Sequence, residues 1–223
     1  VQLYDSYHKA DVKLQKSWFP EAESIFQTVL DARTYKADHL QMFALRGLAS
    51  ALWYQAKKDP ALDSLQAAKA ITEQLPQREI EAEILVNIGN IYRRAGNPDE
   101  AHKSYFKAMQ IARALGDRQL EGTCLRKLAG TFNYQGLPQD ALKRATESLA
   151  IFQQLGDPVG IYKAEQHIAW SYAYLGRWKE ALEKHQGAIK QAEKLISMTP
   201  LDCAKGHRYL ADVYRMCRLF ECQ

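Results

Sequence analysis

The sequence is poor in the residues and patterns on which most function classes depend. Its 223 residues include four cysteines, Cys124, Cys203, Cys217 and Cys222, with no CxxC pair and no recurring spacing. Neither a disulfide framework nor a zinc ribbon is expected, and the chain reads as reduced, intracellular and cytoplasmic. Cys203 and His207 lie one helical turn apart, but no further pair completes the three or four ligands a metal needs, so no metal is expected. No apolar run approaches the roughly 18 residues of a membrane span. Neither a secretory apolar segment nor an initiator Met is present, so we expect a fragment of a longer chain. The net charge of +4 is too small and too dispersed for nucleic acid to be expected as a partner. No Gly-rich phosphate loop, no Ser-His-Asp order and no paired carboxylates are visible, so neither an enzyme nor a cofactor is expected. Gly and Pro are scarce and sit at turns, as an all-helical chain requires.

What the sequence has is a period. Gly89, Tyr92, Gly96 and Ala101 return 40 residues earlier as Ala49, Leu52, Ala56 and Ala61. Forty residues later they return as Ala129, Phe132, Gly136 and Ala141, and then as Ala169, Tyr172, Gly176 and Ala181. With a slip to 42 the frame reaches Ala211 and Tyr214. A fixed period of this size marks a solenoid of repeated helix pairs. Ile84, Leu85, Ile88, Ile91 and Tyr92 fall on one helical face. Gly96 supplies a left-handed residue that ends the helix, Asn97 caps the next, and Pro98 occupies its first position. Gly136, Leu137 and Pro138 repeat this turn without the polar cap. In the turn Lys57-Lys58-Asp59-Pro60, Asp59 is expected to be the cap and Pro60 the first helical residue. Asp117 and Asp157 are expected caps after Gly116 and Gly156. Small residues at 49, 89, 129 and 169 let the paired helices approach, as do the alanines at 61, 101, 141 and 181.

Ile88-Gly89-Tyr92-Gly96-Ala101 and Ile168-Ala169-Tyr172-Gly176-Ala181 resemble the tetratricopeptide (TPR) repeat. Four consecutive copies in register cover nearly the whole chain. The 40-residue period and the linkers Leu115-Gly116-Asp117 and Leu155-Gly156-Asp157 resemble the long-repeat branch, which includes LGN/Pins-type polarity scaffolds and bacterial TPR regulators. The resemblance implies an all-α, right-handed superhelical solenoid of antiparallel helix pairs. We expect one domain over 1–223, with repeats near 3–35, 39–75, 78–115, 117–155 and 157–198 and a terminal helix over 200–217. The array either ends in that helix as a cap or continues beyond residue 223.

In such arrays the first helix of each pair lines the concave surface. Carried onto this frame, those positions hold Phe43, Arg46, Ser50, Trp53 and Tyr54, then Glu83, Asn87, Asn90, Arg93 and Arg94. The later repeats supply Thr123, Arg126, Lys127, Asn133 and Tyr134, then Lys163, Gln166, His167, Trp170 and Tyr174. The terminal helix supplies Lys205, Arg208, Tyr209, Asp212 and Arg215. Acids are few in this set. Arg presents a fork that matches a carboxylate. Asn and Gln can pair a ligand backbone N–H and C=O together. Tyr and Trp give rigid contact area at little entropic cost. The bland alternative is a wet face whose charges only solvate it.

The reading that follows is a non-catalytic protein-interaction module holding an acidic peptide segment in a basic and aromatic groove. Arg126, Lys127, Asn90, Asn87 and Arg94 are its expected centre. A two-carboxylate clamp of the kind that holds a chaperone C-terminus is not expected: Asn87 matches and Arg46 and Lys127 keep the charge, but Ser50 and Thr123 depart. A second reading is a sensory or regulatory array contacting an effector domain of a larger signalling protein. A third is self-association through the repeat ends. No membrane partner is expected.

Overall fold

The computed structural model describes residues 2–15, 18–31, 38–72, 78–192, 211 and 215. Among the described residues all regular structure is α-helical, and ten helices follow one another as antiparallel pairs. They are α1 (Gln2–Gln15), α2 (Phe19–Asp31), α3 (Asp38–Tyr54), α4 (Lys58–Thr72) and α5 (Arg78–Arg94). Then come α6 (Pro98–Leu115), α7 (Arg118–Tyr134), α8 (Pro138–Leu155), α9 (Pro158–Tyr174) and α10 (Trp178–Ala192). Among the described residues the ten helices make five adjacent pairs. The expected terminal helix over 200–217 lies outside the described residues except for Ala211 and Arg215, both helical and exposed. Contacts divide the chain into two compact units, residues 1–111 and 112–223. Composition carries no mark of this division, because the 40-residue frame runs through it.

The turns explain where the helices stop. Gly96, Gly136 and Gly176 have φ of 84°, 74° and 73°, the left-handed conformation glycine adopts without a Cβ clash. After each, the chain re-enters a helix within two residues. Ala56 occupies the same place in the second pair and is held at φ 63°. Asp117 accepts the Leu120 N–H at 2.9 Å, and Asp157 accepts those of Val159 and Gly160, each at 3.0 Å. Both caps were legible in the sequence, as was the absence of a side-chain cap at Leu137. One boundary differs. α4 begins at Lys58, so Asp59 and Pro60 lie inside its first turn rather than at the cap and first position. The Ala61 N–H donates to the Lys57 carbonyl at 3.2 Å, closing that turn early. The missing N–H of Pro60 costs nothing there, because the first four amides of a helix have no intrahelical acceptor.

Unit 1 packs α1 on α2, α2 on α3, α3 on α4 and α4 on α5, with α1 also against α3. Phe26 is fully buried at its centre. A Cβ at Gly47 would stand 2.3 Å from the Phe26 ring, so this ring occupies space that only glycine leaves open. Gly89 leaves the same space for Tyr105, whose ring is fully buried. Unit 2 packs α7 on α8, α8 on α9 and α9 on α10, and sets α7 beside α9. Ala141 and Ala181 are fully buried, as are Ala61 and Ala101 in unit 1. Ser148 donates to the Gly122 carbonyl at 2.7 Å, tying α8 to α7. At the start of α7 the buried carboxylate of Glu121 receives both Arg113, at 2.7 Å, and Arg118.

Candidate functional site

α7 and α9 lie side by side in unit 2, and each ends in an exposed tyrosine. Tyr134 and Tyr174 are 61% and 52% exposed, the same position in successive repeats. Trp170 stacks on Tyr174 with ring centroids 5.7 Å apart. His185 of α10 stands edge-on to Trp170 at 6.4 Å. His167 packs over Gly130, where an added Cβ would lie 3.0 Å from the imidazole. Arg126, Lys127 and Lys163 are half-buried, with part of each side chain in solvent. Asn133 is buried: its amide donates to the Ser171 hydroxyl at 3.1 Å, and that hydroxyl donates to the His167 carbonyl at 2.9 Å. Asn133 therefore joins α7 to α9. Gln166 is buried as well, and its amide nitrogen has no hydrogen-bond partner.

In unit 1 the corresponding residues fall into three contacts. The Arg46 guanidinium pairs with Glu83 of α5 and lies 5.3 Å from the Phe43 ring. Arg94 stands over Trp53 of α3, 5.2 Å from the ring centroid. The Asn90 carbonyl oxygen accepts the Tyr105 hydroxyl at 3.0 Å, which turns it toward α6. Asn87 and Arg93 are half-buried, and Tyr54 is exposed and stacked on Phe19 at 4.6 Å. Arg208 lies outside the described residues, as do Lys205, Tyr209 and Asp212.

Burial is the main cause of shifted proton affinity at Cys124, His185 and Glu165. Burial pushes the Cys124 thiol up to about 12, so it is a protonated core side chain and not a nucleophile. Burial lowers His185 to about 4, and neither ring nitrogen has a hydrogen-bond partner. It is neutral at physiological pH. Burial raises Glu165 on α9, partly countered by Lys184. Among the described residues no group of three His, Cys, Asp or Glu could hold a metal. The pair Cys203 and His207 lies outside them. No helix among the described residues is long and apolar enough to cross a membrane.

The sequence model of the tetratricopeptide repeat family matches residues 80–154, about a third of the chain. These residues are the third and fourth helix pairs. A comparison with curated proteins finds no match. Solved structures share the fold. Aspartyl phosphate phosphatase F from Bacillus subtilis superposes with a TM-score of 0.77 at 16% identity, over 96% of this chain and 54% of its own. NprR in complex with its cognate peptide NprX gives 0.75 at 15% identity, over 98% and 63%. A STAND ATPase with a tetratricopeptide repeat sensor, from Pyrococcus horikoshii, gives 0.76 at 19% identity, over 95% and 33%. The fold is thus an all-α array of helix pairs like that of solved tetratricopeptide repeat structures. The chain spans only part of the length of each of these three structures.

Sequence reasoning placed Trp170, Tyr174, Tyr134, Arg126, Lys127, Lys163 and His167 on α7 and α9, and the structure sets those helices side by side. It did not see that Asn90 and Asn133 bond within the protein, because a period gives the face of a residue but not the partner its amide finds. It also passed over the lysines of the second helices. The spacing of Lys103 and Lys107, one turn apart on α6, was the available signal.

Proposed function

We propose that the chain is a non-catalytic, cytoplasmic protein-interaction module that holds an acidic peptide segment against the α7–α9 face. The observation that carries this reading is the pair of exposed tyrosines at one repeat position, Tyr134 and Tyr174, on the two helices that also carry Arg126, Lys127 and Lys163. Exposed large aromatics gain by being covered, and Arg126, Lys127 and Lys163 suit the carboxylates of the segment that covers them. Trp170 supplies a rigid wall already stacked on Tyr174. His167, backed by Gly130, serves the ligand backbone, while Gln166 is buried beneath the face. Asn133 acts by fixing α7 to α9. In unit 1, Arg46, Asn87, Arg93 and Arg94 form a separate polar and basic face, in which Trp53 orients Arg94 and Tyr105 holds Asn90 in place.

The test compares the unmutated chain with Arg126→Glu/Lys127→Glu. Partners captured from lysate of the source organism are identified by mass spectrometry, and their acidic segments are re-made as peptides for calorimetry. A loss of at least about 30-fold in affinity is expected, the scale of a hot spot worth about 2 kcal/mol. Far-UV circular dichroism and thermal midpoint should not change. Equal binding by both chains would refute the reading. A second reading is that the array is the regulatory part of a larger signalling protein and contacts its effector domain. It is favoured by the fold likeness to a STAND ATPase that carries a tetratricopeptide repeat sensor.

A further inference from the structure

Unit 1 contains a pocket of about 340 Å³ on another surface. Its walls come from α4 and α6 and its floor from α5. The floor is Leu85, Ile88 and Tyr92. Helical periodicity puts these three on the face of α5 opposite Glu83, Asn87, Asn90 and Arg94. The pocket is therefore distinct from the basic face of the first helices. Lys69 of α4 and Lys103 and Lys107 of α6 stand around the floor. Glu100 is the one carboxylate among the lining residues, and it is already engaged by Lys103.

The repeat does not demand this charge. Eighty residues further on, Tyr92 and Glu100 recur as Tyr172 and Glu180, lining a pocket of about 350 Å³ in unit 2. At the same positions Leu85, Lys103 and Lys107 have become Glu165, Glu183 and Gly187. The helix-pair frame thus tolerates either sign of charge at these positions, and in unit 1 it carries lysine.

We propose that the α4–α5–α6 pocket binds a carboxylate-bearing segment of a partner protein. An apolar side chain of that segment rests on Ile88 and Tyr92, and flanking Asp or Glu residues meet Lys69, Lys103 and Lys107. The apolar floor selects a peptide over a bare anion, since phosphate gains nothing from Leu85 and Ile88. Lysine, a mobile point charge, accepts carboxylates at several positions along a segment without the fixed geometry of a bidentate arginine. The site shares no residue with the α7–α9 face.

The probe is an acetylated, amidated pentapeptide, one leucine flanked by two glutamates on each side, titrated into the isotope-labelled full chain and followed by amide NMR. We expect saturable shifts clustered at Lys69, Tyr92, Lys103 and Lys107. Lys103→Glu/Lys107→Glu should raise the Kd at least tenfold, and so should replacing the leucine of the peptide by glycine. Arg126→Glu should leave these shifts unchanged, so failure here and failure of the α7–α9 reading are separable. The milder Lys103→Gln/Lys107→Gln serves if the charge reversal disturbs folding, and it should also weaken binding. An unaltered Kd in the lysine variants, or no saturable shift at these residues, would overturn the proposal. So would inorganic phosphate producing the same shifts at the same affinity, which would make the pocket a simple anion site.

Discussion

A single methyl group added at Gly89 tests how the third helix pair is packed. An ideal Cβ there would lie 2.6 Å from Cε1 and 2.8 Å from Cδ1 of Tyr105. Carbon atoms rest about 3.5–4.0 Å apart, so the ring must retreat by roughly 1 Å. Tyr105 is fully buried, and its hydroxyl is tied to Asn90 at 3.0 Å, so the retreat strains both packing and a hydrogen bond. Overpacking of this kind costs about 1–3 kcal/mol. Alanine returns up to about 1 kcal/mol of helix propensity. Gly89→Ala should therefore destabilise the protein by up to about 2 kcal/mol.

The other repeats supply a compensation. Where Gly89 faces Tyr105, the frame of the second pair has Ala49 and Leu65, and that of the fourth has Ala129 and Ala145. Gly89→Ala/Tyr105→Leu recreates the second combination. Tyr105→Leu alone loses ring contacts and the Asn90 bond, but in the double variant the added methyl meets no ring. A double-mutant cycle by urea unfolding, followed by far-UV circular dichroism, should give a favourable coupling of at least about 1 kcal/mol. Additive effects within about 0.5 kcal/mol would refute the argument. So would a Gly89→Ala variant more stable than the unmutated chain, since the ring would then have moved freely.

Two further predictions concern other parts of the chain. His185 is neutral and buried, its pKa lowered from 6.5 to about 4. The unfolded chain takes up its proton first, so stability is fully present above pH 6.5 and is lost as the pH falls toward 4. That loss is on the order of 3 kcal/mol, and His185→Phe should flatten this part of a pH–stability curve measured by denaturant midpoint. Ala56 holds a left-handed turn that glycine holds in later repeats. Ala56→Gly should therefore raise stability by about 0.5–1 kcal/mol, and Gly136→Ala should lower it by a similar amount. Opposite signs at these two turns, read as shifts in thermal midpoint, are the check.

The sequence by itself determined the helix pairs. Helix starts at Pro98, Pro138 and Pro158, caps at Asp117 and Asp157, and left-handed stops at Gly96, Gly136 and Gly176 are local backbone chemistry, so a short stretch suffices to specify them. The first-helix face was legible for the same reason: 3.6-residue periodicity assigns a side to every position, and Tyr134, Trp170 and Tyr174 were placed by counting. Tertiary structure decided what each polar side chain does on that side. Asn133 bonds Ser171, Asn90 accepts from Tyr105, Arg46 meets Glu83, and Arg94 lies over Trp53. Three of these partners are 37 to 41 residues away in sequence, and each was chosen over other polar groups by distances only the packed helices set. It also decided that Lys69 of one helix and Lys103 and Lys107 of another share a pocket. Charge on a lone helix reads as a solvated face, and only the approach of α4 to α6 over an apolar floor turns it into a site.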